Sequence, residues 1–448
     1  MNLAGSISGL LTDLYELTMA AGYVEAGVAE HQATFELTIR RLPPCRNYVI
    51  AAGLAQAVEY LTQVGFGEEE IRYLRSLPQF ARSPESFFER LRRFRFSGDL
   101  AGMAEGTPVF GGEPILVVRA PLIEAQLVET YLLASIGFQS MVASKASRVV
   151  RAAGSRAVVE FGTRRAHSPQ AGVLAGRAAY IGGCAGTSNT LAGFQFGIPV
   201  YGTAGHSWVL AFPDEATAFR HLQGLLGQAT IYVVDTYDTL EGVRAAAALG
   251  KPMWGVRLDS GDLVELSRRA RTILDSAGLN EARIMVTGDL NEYRIRELVE
   301  AEAPIDAFGV GTELATSSDA PNLGVVYKLV ELESNGIRRY TAKFSEDKAT
   351  YPGAKQVFRY PDHDEIACAW EQRPSASTPP LLRPVLSRGR LVEPLPSPGE
   401  ARSHAAKALE QLPQGLRRLE EAEAYRVEYT PALLEVAGAA RKRMEEGR

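Results

Sequence analysis

The sequence predicts an α/β fold in which successive βα units build a parallel sheet. Three observations carry that prediction. Short apolar runs rich in β-branched and aromatic residues recur: AAYIGGC before Ala185-Gly186-Thr187, IPVYGTAGH ending at His206, IYVVDTYD ending at Asp238, MWGVRLDSGD ending at Asp262, RIMVTGD ending at Asp289 and IDAFGVGT ending at Thr312. Most lead into helix-like sequence, and the units return about every 20–35 residues, as short βα units do. Each run stops in a knot of Gly, Thr and charged residues. The C-terminal ends of parallel strands open on one face, where such residues form a site.

The elements follow in chain order. Residues 12–26 predict a helix capped by Thr12 or Asp13, with Leu14, Leu17 and Ala21 on one face. HQATFELTIRRLP alternates polar and apolar residues and predicts a strand stopped by Pro43-Pro44. Residues 53–96 read as amphipathic helices and 97–119 as Gly-rich β structure. This stretch lacks βα alternation, so residues 1–120 are expected to form an N-terminal α+β domain. PLIEAQLVETYLLASIGF then predicts a helix with Pro121 in its first turn, and VASKASRVVRAAG a second helix ended by Gly154. AVVEFG opens the alternation, which fades after GVVYKLVEL, so the catalytic domain is expected over 121–330. Asn335-Gly336 marks a hairpin turn, residues 373–400 a Pro- and Ser-rich loop, and EARSHAAKALEQLP and ALLEVAGAARKRMEEGR two last helices. The 331–448 segment is expected to complete the N-terminal domain, an independent module being the alternative.

With 448 residues, 46% hydrophobic and 23% charged, the chain has the composition of a soluble globular protein large enough for two or three domains. Its net charge of −5 argues against a nucleic-acid partner, and the basic stretch Arg90–Arg95 reads as a solvated helix face. Cys45, Cys184 and Cys368 have no paired spacing, so neither a disulfide framework nor a cysteine zinc site is expected. The start lacks a signal-peptide pattern and no run approaches a membrane span, so the expectation is a cytoplasmic enzyme without a membrane partner.

The strand-end residues suggest chemistry. His206, framed by Gly202 and Gly205, suits a general base, a metal ligand or a nucleophile, or simply a loop histidine bonded to the backbone. Arg257 and Asp259 point to one side of a strand, and either hold a polar ligand at both ends or pair with each other. Ser260 and Gly261 are expected to open the next helix, offering backbone N–H groups to an anion. Thr287-Gly288-Asp289 and Gly309-Val310-Gly311-Thr312 allow close backbone approach and add hydroxyl donors, with phosphate as the natural guest. Asp235 is placed to orient the His206 imidazole. Phe161 and Arg164 suit a flat anionic ligand, or are core ring and surface cation. There is no P-loop, no G-x-G-x-x-G and no G-x-S-x-G.

Nine motifs in order resemble the nicotinate phosphoribosyltransferase family: TDLYELTM at 12–19, EFGTRRAHS at 160–168, GTSNTLAG at 186–193, YGTAGHSW at 201–208, VDTYDT at 234–239, GVRLDSGDL at 255–263, FGVGTEL at 308–314, GVVYKL at 324–329 and KFSEDKATYPGAKQVFR at 343–359. The resemblance implies a type II phosphoribosyltransferase, an irregular α/β barrel beside the N-terminal α+β domain. It implies that nicotinate and phosphoribosyl pyrophosphate give nicotinate mononucleotide and pyrophosphate for NAD synthesis. It further implies that ATP is hydrolysed as a co-substrate through a phosphohistidine at His206; Mg²⁺ is expected beside the leaving pyrophosphate, with its ligands unassigned. A homodimer with a shared active site is implied, in which Tyr15 stacks on the pyridine ring from the neighbouring subunit and Phe161 faces the ring's other side. Thr203, Arg257 and Thr312 match nicotinate-binding positions, and Arg164, Asp259, Gly288, Asp289 and Gly311 positions around ribose and phosphates. Asp13 joins the substrate-binding set, and Asp235 the catalytic set with His206, Arg257 and Asp259.

The related nicotinamide enzymes differ at two points. They carry Ser-Tyr-Lys where this chain has Leu14-Tyr15-Glu16, and an Asp in the stretch matching Thr187-Ser188-Asn189. An Asp there would repel nicotinate, whereas Ser188 or Asn189 can donate to it. Family members with a C-terminal cysteine cluster bind zinc; beyond residue 330 this chain has only Cys368, so no zinc is expected. The alternatives are a nicotinamide or quinolinate phosphoribosyltransferase, a non-catalytic nucleotide-binding relative, and a flavin-dependent barrel oxidoreductase.

Overall fold

The computed structural model describes residues 7–343, 350–371, 378–420 and 424–446. The middle of KFSEDKATYPGAKQVFR, part of the Pro- and Ser-rich loop and the first six residues lie outside the described residues. The chain forms two compact units, Met1–Met141 with Asn322–Arg448, and Val142–Pro321.

The second unit is built on a six-stranded parallel sheet. Its strands are Ala157–Glu160, Gly186–Thr187, Ile231–Val233, Gly255–Leu258, Arg283–Val286 and Ala307–Val310. They follow one another around the sheet in chain order, and the last pairs with the first, Ala307 with Ala157 through Val310 with Glu160. Closure of last strand on first is what makes a barrel. The barrel opens between Gly186–Thr187 and Ile231–Val233, where only the Thr187–Val200 bridge extends the sheet. Sequences such as IYV and AFGV are buried throughout, as strands covered on both faces must be. Ile231, Met285 and Ala307 cluster in the interior, with Phe161 and Trp254 packed on them.

Helices follow the strands, and their first turns explain part of the polar signal. Asp238 and Asp262, which end two of the knots, accept backbone N–H groups as N-caps, as do Ser168, Asn189, Asp214 and Asn291. Each such cap is worth about 1 kcal/mol. The helix after Gly255–Leu258 therefore opens at Leu263 behind Asp262, and not at Ser260-Gly261.

Three other expectations are corrected. AAYIGGC is not a strand: Ala178–Ile181 completes the helix Pro169–Ile181, since alanine favours a helix, and pairing begins only at Gly186. IPVYGTAGH forms only the Val200 bridge, because Pro199 lacks an N–H and Gly202 and Gly205 weaken the run. The two helices expected on either side of residue 140 are one, Glu129–Ala153, preceded by a short helix Leu122–Leu127; Gln139-Ser140-Met141 offers no helix breaker.

The first unit holds a seven-stranded sheet. Gln32–Ile39 lies between Val325–Ser334 and Pro114–Pro121, pairing antiparallel with both, and Leu382–Ser387 pairs with Asp99–Met103. Segments from both chain ends thus share one sheet. The Asn335-Gly336 turn joins Val325–Ser334 to Ile337–Tyr340. A three-stranded sheet of Lys355–Arg359, His363–Cys368 and Arg426–Tyr429 follows. Among the described residues, no helix is long and apolar enough to cross a membrane.

Candidate active site

The ends of Gly255–Leu258 and Arg283–Val286 pair in parallel, Arg257 beside Met285 and Leu258 beside Val286. That register brings the residues just beyond them together. Arg257 is buried, and three neighbours hold its guanidinium: Nη2 lies 2.8 Å from Asp259 Oδ1, Nε donates to Thr287 Oγ1 at 2.9 Å, and Nη1 donates to Thr203 Oγ1 at 2.8 Å. The Thr287 hydroxyl in turn donates to Asp259 Oδ1. Burial pushes the Asp259 carboxyl up, but the Thr287 hydroxyl and the Arg257 charge outweigh it and hold Asp259 below its ordinary range. Arg257 and Asp259 are therefore an ion pair within one polar array, and Asp259 stays anionic.

His206 opens the short helix His206–Leu210 and is partly exposed. Its Nδ1 lies 3.1 Å from Thr236 Oγ1, and its Nε2 3.9 Å from Asp259 Oδ2. The expectation that Asp235 orients the imidazole is corrected: Thr236 takes that place. Asp235 instead accepts the Asp259 backbone N–H at 3.1 Å and the Ser260 hydroxyl at 2.9 Å, both through Oδ2.

Asp235 Oδ1 is buried without a partner, and so is Oε1 of Glu215. Burial, then Asp235 and Asp238, push the Glu215 carboxyl up to about 7. Among the described residues no group of three or more His, Cys, Asp and Glu side chains is placed to hold a metal. One or two carboxylate oxygens with open valence do suit Mg²⁺, which keeps waters and takes its remaining ligands from substrate phosphates.

Close backbone packing shapes the neighbouring loops. Gly288 has φ +85°, and a Cβ there would fall 2.0 Å from the Asp259 carbonyl oxygen. At Gly309 a Cβ would fall 2.5 Å from the Phe161 ring and 2.7 Å from the Thr287 methyl, so the ring lies directly over that strand. Asp289 keeps φ +43°, uncommon for a residue with a side chain. Thr312 is exposed and starts the helix Thr312–Ala315 behind Gly311. Arg164 is exposed in the turn Thr163–Arg165.

Ser188 is half-buried. Asn189 is buried, and its Oδ1 accepts the Ala192 N–H at 2.8 Å as a helix cap, leaving its NH₂ as the donor side. The sequence reading passed over Glu160 beneath them. Its carboxylate is fully buried, accepts the Thr187 hydroxyl at 2.5 Å and the Gly162 N–H, and so ties the Phe161 strand end to the Thr187-Ser188-Asn189 strand end. An acid as the last residue of an otherwise apolar strand was the available signal.

Asp13 and Tyr15 belong to the first unit. Asp13 precedes the helix Leu14–Glu25 without a side-chain cap bond, and Tyr15 is 45% exposed. The same unit contains a cavity of about 160 Å³ whose lining includes Arg40, Lys328 and Lys355, which the sequence reading did not group because they lie far apart along the chain.

A barrel closed last strand to first, with an Arg–carboxylate–histidine array at its strand ends, defines an α/β-barrel enzyme site. Residues 10–137 match the nicotinate phosphoribosyltransferase (NAPRTase) N-terminal domain, 157–338 the NAPRTase family and 346–437 the nicotinate phosphoribosyltransferase C-terminal domain. A nicotinate phosphoribosyltransferase of Mycobacterium tuberculosis is 45% identical over 431 residues, covering 94% of this chain and 91% of the relative. One from Bacillus subtilis is 44% identical over 78% of this chain and 72% of its own. The crystal structure of human nicotinic acid phosphoribosyltransferase superposes with a TM-score of 0.81 at 29% identity, covering 96% of this chain and 99% of that one. A nicotinate-nucleotide pyrophosphorylase from Pyrococcus furiosus gives 0.73 at 25% identity, covering 90% and 95%. The fold is that of the type II phosphoribosyltransferases. The chain belongs to the nicotinate phosphoribosyltransferase family.

Proposed function

We propose that this chain joins nicotinate to phosphoribosyl pyrophosphate, releasing pyrophosphate and nicotinate mononucleotide for NAD synthesis, with ATP hydrolysed through a phosphohistidine at His206. Family membership supports the overall reaction. The Arg257–Asp259–Thr287–Thr203 array is the observation that carries the reading: a buried cation, held rigid, beside a permanent anion.

The pyridine nitrogen is nucleophilic at neutral pH and needs no base. Its lone pair attacks ribose C1 as the C1–O bond to pyrophosphate breaks, and the sugar passes through a cationic state. The protein's work is positioning and charge stabilisation. Thr203, Arg257 and Thr312 are assigned to nicotinate, with Ser188 and Asn189 as donors to its carboxylate. Phe161 is assigned to one face of the ring and Tyr15, from a second copy of the chain, to the other. Asp259 faces the cationic sugar, and Arg164, Gly288, Asp289 and Gly311 surround ribose and phosphates. Asp235, with Glu215 beside it, would hold Mg²⁺, which when bound neutralises charge on the leaving pyrophosphate.

In the tautomer that carries its proton on Nδ1, His206 donates to the Thr236 hydroxyl 3.1 Å away and keeps the Nε2 lone pair for the γ-phosphorus of ATP. The N–P bond forms as the bond to ADP breaks, and water later cleaves it.

A product assay tests this. The protein receives phosphoribosyl pyrophosphate and Mg²⁺ with nicotinate, nicotinamide or quinolinate, with and without ATP, beside His206→Ala. Product from nicotinate alone, raised by ATP and not raised in the variant, is expected. Product from either other base would replace the substrate assignment, and an unchanged ATP effect in His206→Ala would remove the phosphohistidine.

A further inference from the structure

Lys145 is buried, with 1% of its side chain exposed, on the helix Glu129–Ala153. Its Nζ lies 2.6 Å from Glu292 Oε2, 2.9 Å from Asp319 Oδ1 and 3.3 Å from Glu313 Oε2. Arg148, one helical turn on, pairs with the other oxygen of Glu292 at 2.9 Å. A buried ammonium persists only with such compensation. Burial works to discharge it, but Glu292 and Asp319 outweigh that and hold it charged.

The three carboxylates stand at informative places. Glu292 begins the helix that follows the Thr287-Gly288-Asp289 turn, Glu313 is next to Thr312, and Asp319 closes the same loop. The strands feeding these loops are paired neighbours, Met285 with Ala307 and Val286 with Phe308. One cation therefore fastens two adjacent strand-end loops from beneath. The ladder between these two strands ends at Val286 and Phe308, so beyond it the spacing of one loop from the other depends on the side chains that join them.

We propose that Lys145 is a positioning residue for the phosphoribosyl group: by clamping Glu292 and Glu313 it sets the distance between the Asp289 and Thr312 loops. The inference rests on the assignment of those loops to substrate made above. It predicts a selective defect. Loosening the clamp weakens phosphoribosyl pyrophosphate more than nicotinate: Gly288, Asp289 and Gly311 all move with the two loops, whereas nicotinate loses only the Thr312 contact and keeps Arg257 and Thr203.

The test uses the full-length protein with three variants, Lys145→Met, Glu313→Gln and Asp289→Asn, in steady-state kinetics against each substrate and in thermal melting. Lys145→Met removes the shared ammonium while Glu292 keeps Arg148, and Glu313→Gln, which removes one arm, decides the matter where the lysine variant does not fold. We expect Glu313→Gln to raise KM for phosphoribosyl pyrophosphate about tenfold, with a smaller rise of about threefold or less for nicotinate and Tm within about 2 °C of wild type. A wild-type KM in Glu313→Gln beside a raised one in Asp289→Asn would overturn the clamp while leaving the site reading intact. A wild-type KM in Asp289→Asn would remove the substrate assignment of that loop, and the inference with it.

Discussion

The Thr287 hydroxyl donates to Asp259 Oδ1 while its oxygen accepts the Arg257 Nε–H at 2.9 Å. Thr287 and Asp259 each lie just beyond one of two neighbouring strands, 28 positions apart, and one hydroxyl completes the polar array there.

Replacing Thr287 with Val keeps the shape and removes the hydroxyl, leaving Arg257 Nε and one donor contact of Asp259 unmet. The expected loss in kcat/KM is about 10- to 100-fold, or about 1–3 kcal/mol. Steady-state kinetics at saturating ATP measures it; a kcat/KM within twofold of wild type would show that the hydroxyl does not shape the site.

Gly288→Ala would place a methyl 2.0 Å from the Asp259 carbonyl oxygen at φ +85°. Both partners are backbone, so the loop must shift. We expect at least about 1 kcal/mol of destabilisation, a fall in Tm of about 2 °C or more, and a loss of activity. Gly224→Ala, with nothing within 4 Å in the helix Glu215–Leu226, is the control and should hold or raise Tm.

Stability should fall as pH rises toward neutrality. Glu16 and Glu215 are each pushed up to about 7, first by burial; the Thr130 hydroxyl opposes the rise at Glu16, and Asp235 reinforces it at Glu215. With folded values above the unfolded one near 4.5, the folded state holds more protons between about pH 4.5 and 7, so this contribution is present at low pH and lost through 7. Glu16→Gln and Glu215→Gln should each match wild type near pH 5 and exceed its Tm by about 2 °C at pH 8, after discounting for solvent screening. Melting curves that are parallel at all pH values would refute the assignment.

Tyr15→Ala is expected to be inactive alone and His206→Ala to lack the ATP-dependent rise, and exchange of their subunits should recover part of the ATP-dependent activity. No recovery after exchange verified by mass would speak against a site shared between two copies of the chain.

The legible part of the fold is the local part. IYV, GVRL, RIMV and AFGV become strands because short β-branched runs bounded by Gly and Asp have no better local choice. AAYIGGC misleads because its alanines serve the preceding helix, and IPVYGTAGH because a bridge at Val200 depends on what Thr187 offers across the gap. Among the polar knots, Asp238 and Asp262 look like site residues in sequence and are helix caps in the structure. Sequence cannot separate the two roles, since a strand-end Asp serves both.

The sequence by itself determined the strand and helix types, the gathering of Gly, Thr and charged residues at strand ends, and the family whose motifs run the length of the chain. Only the tertiary structure decided that the last strand closes on the first, that Thr236 rather than Asp235 meets His206, that Thr287 links Arg257 to Asp259, and that Lys145 lies buried among three carboxylates. The reason is range. Period and capping act over a few residues of chain, whereas a hydrogen bond between strand ends depends on sheet order and register, set by the packing of the whole barrel.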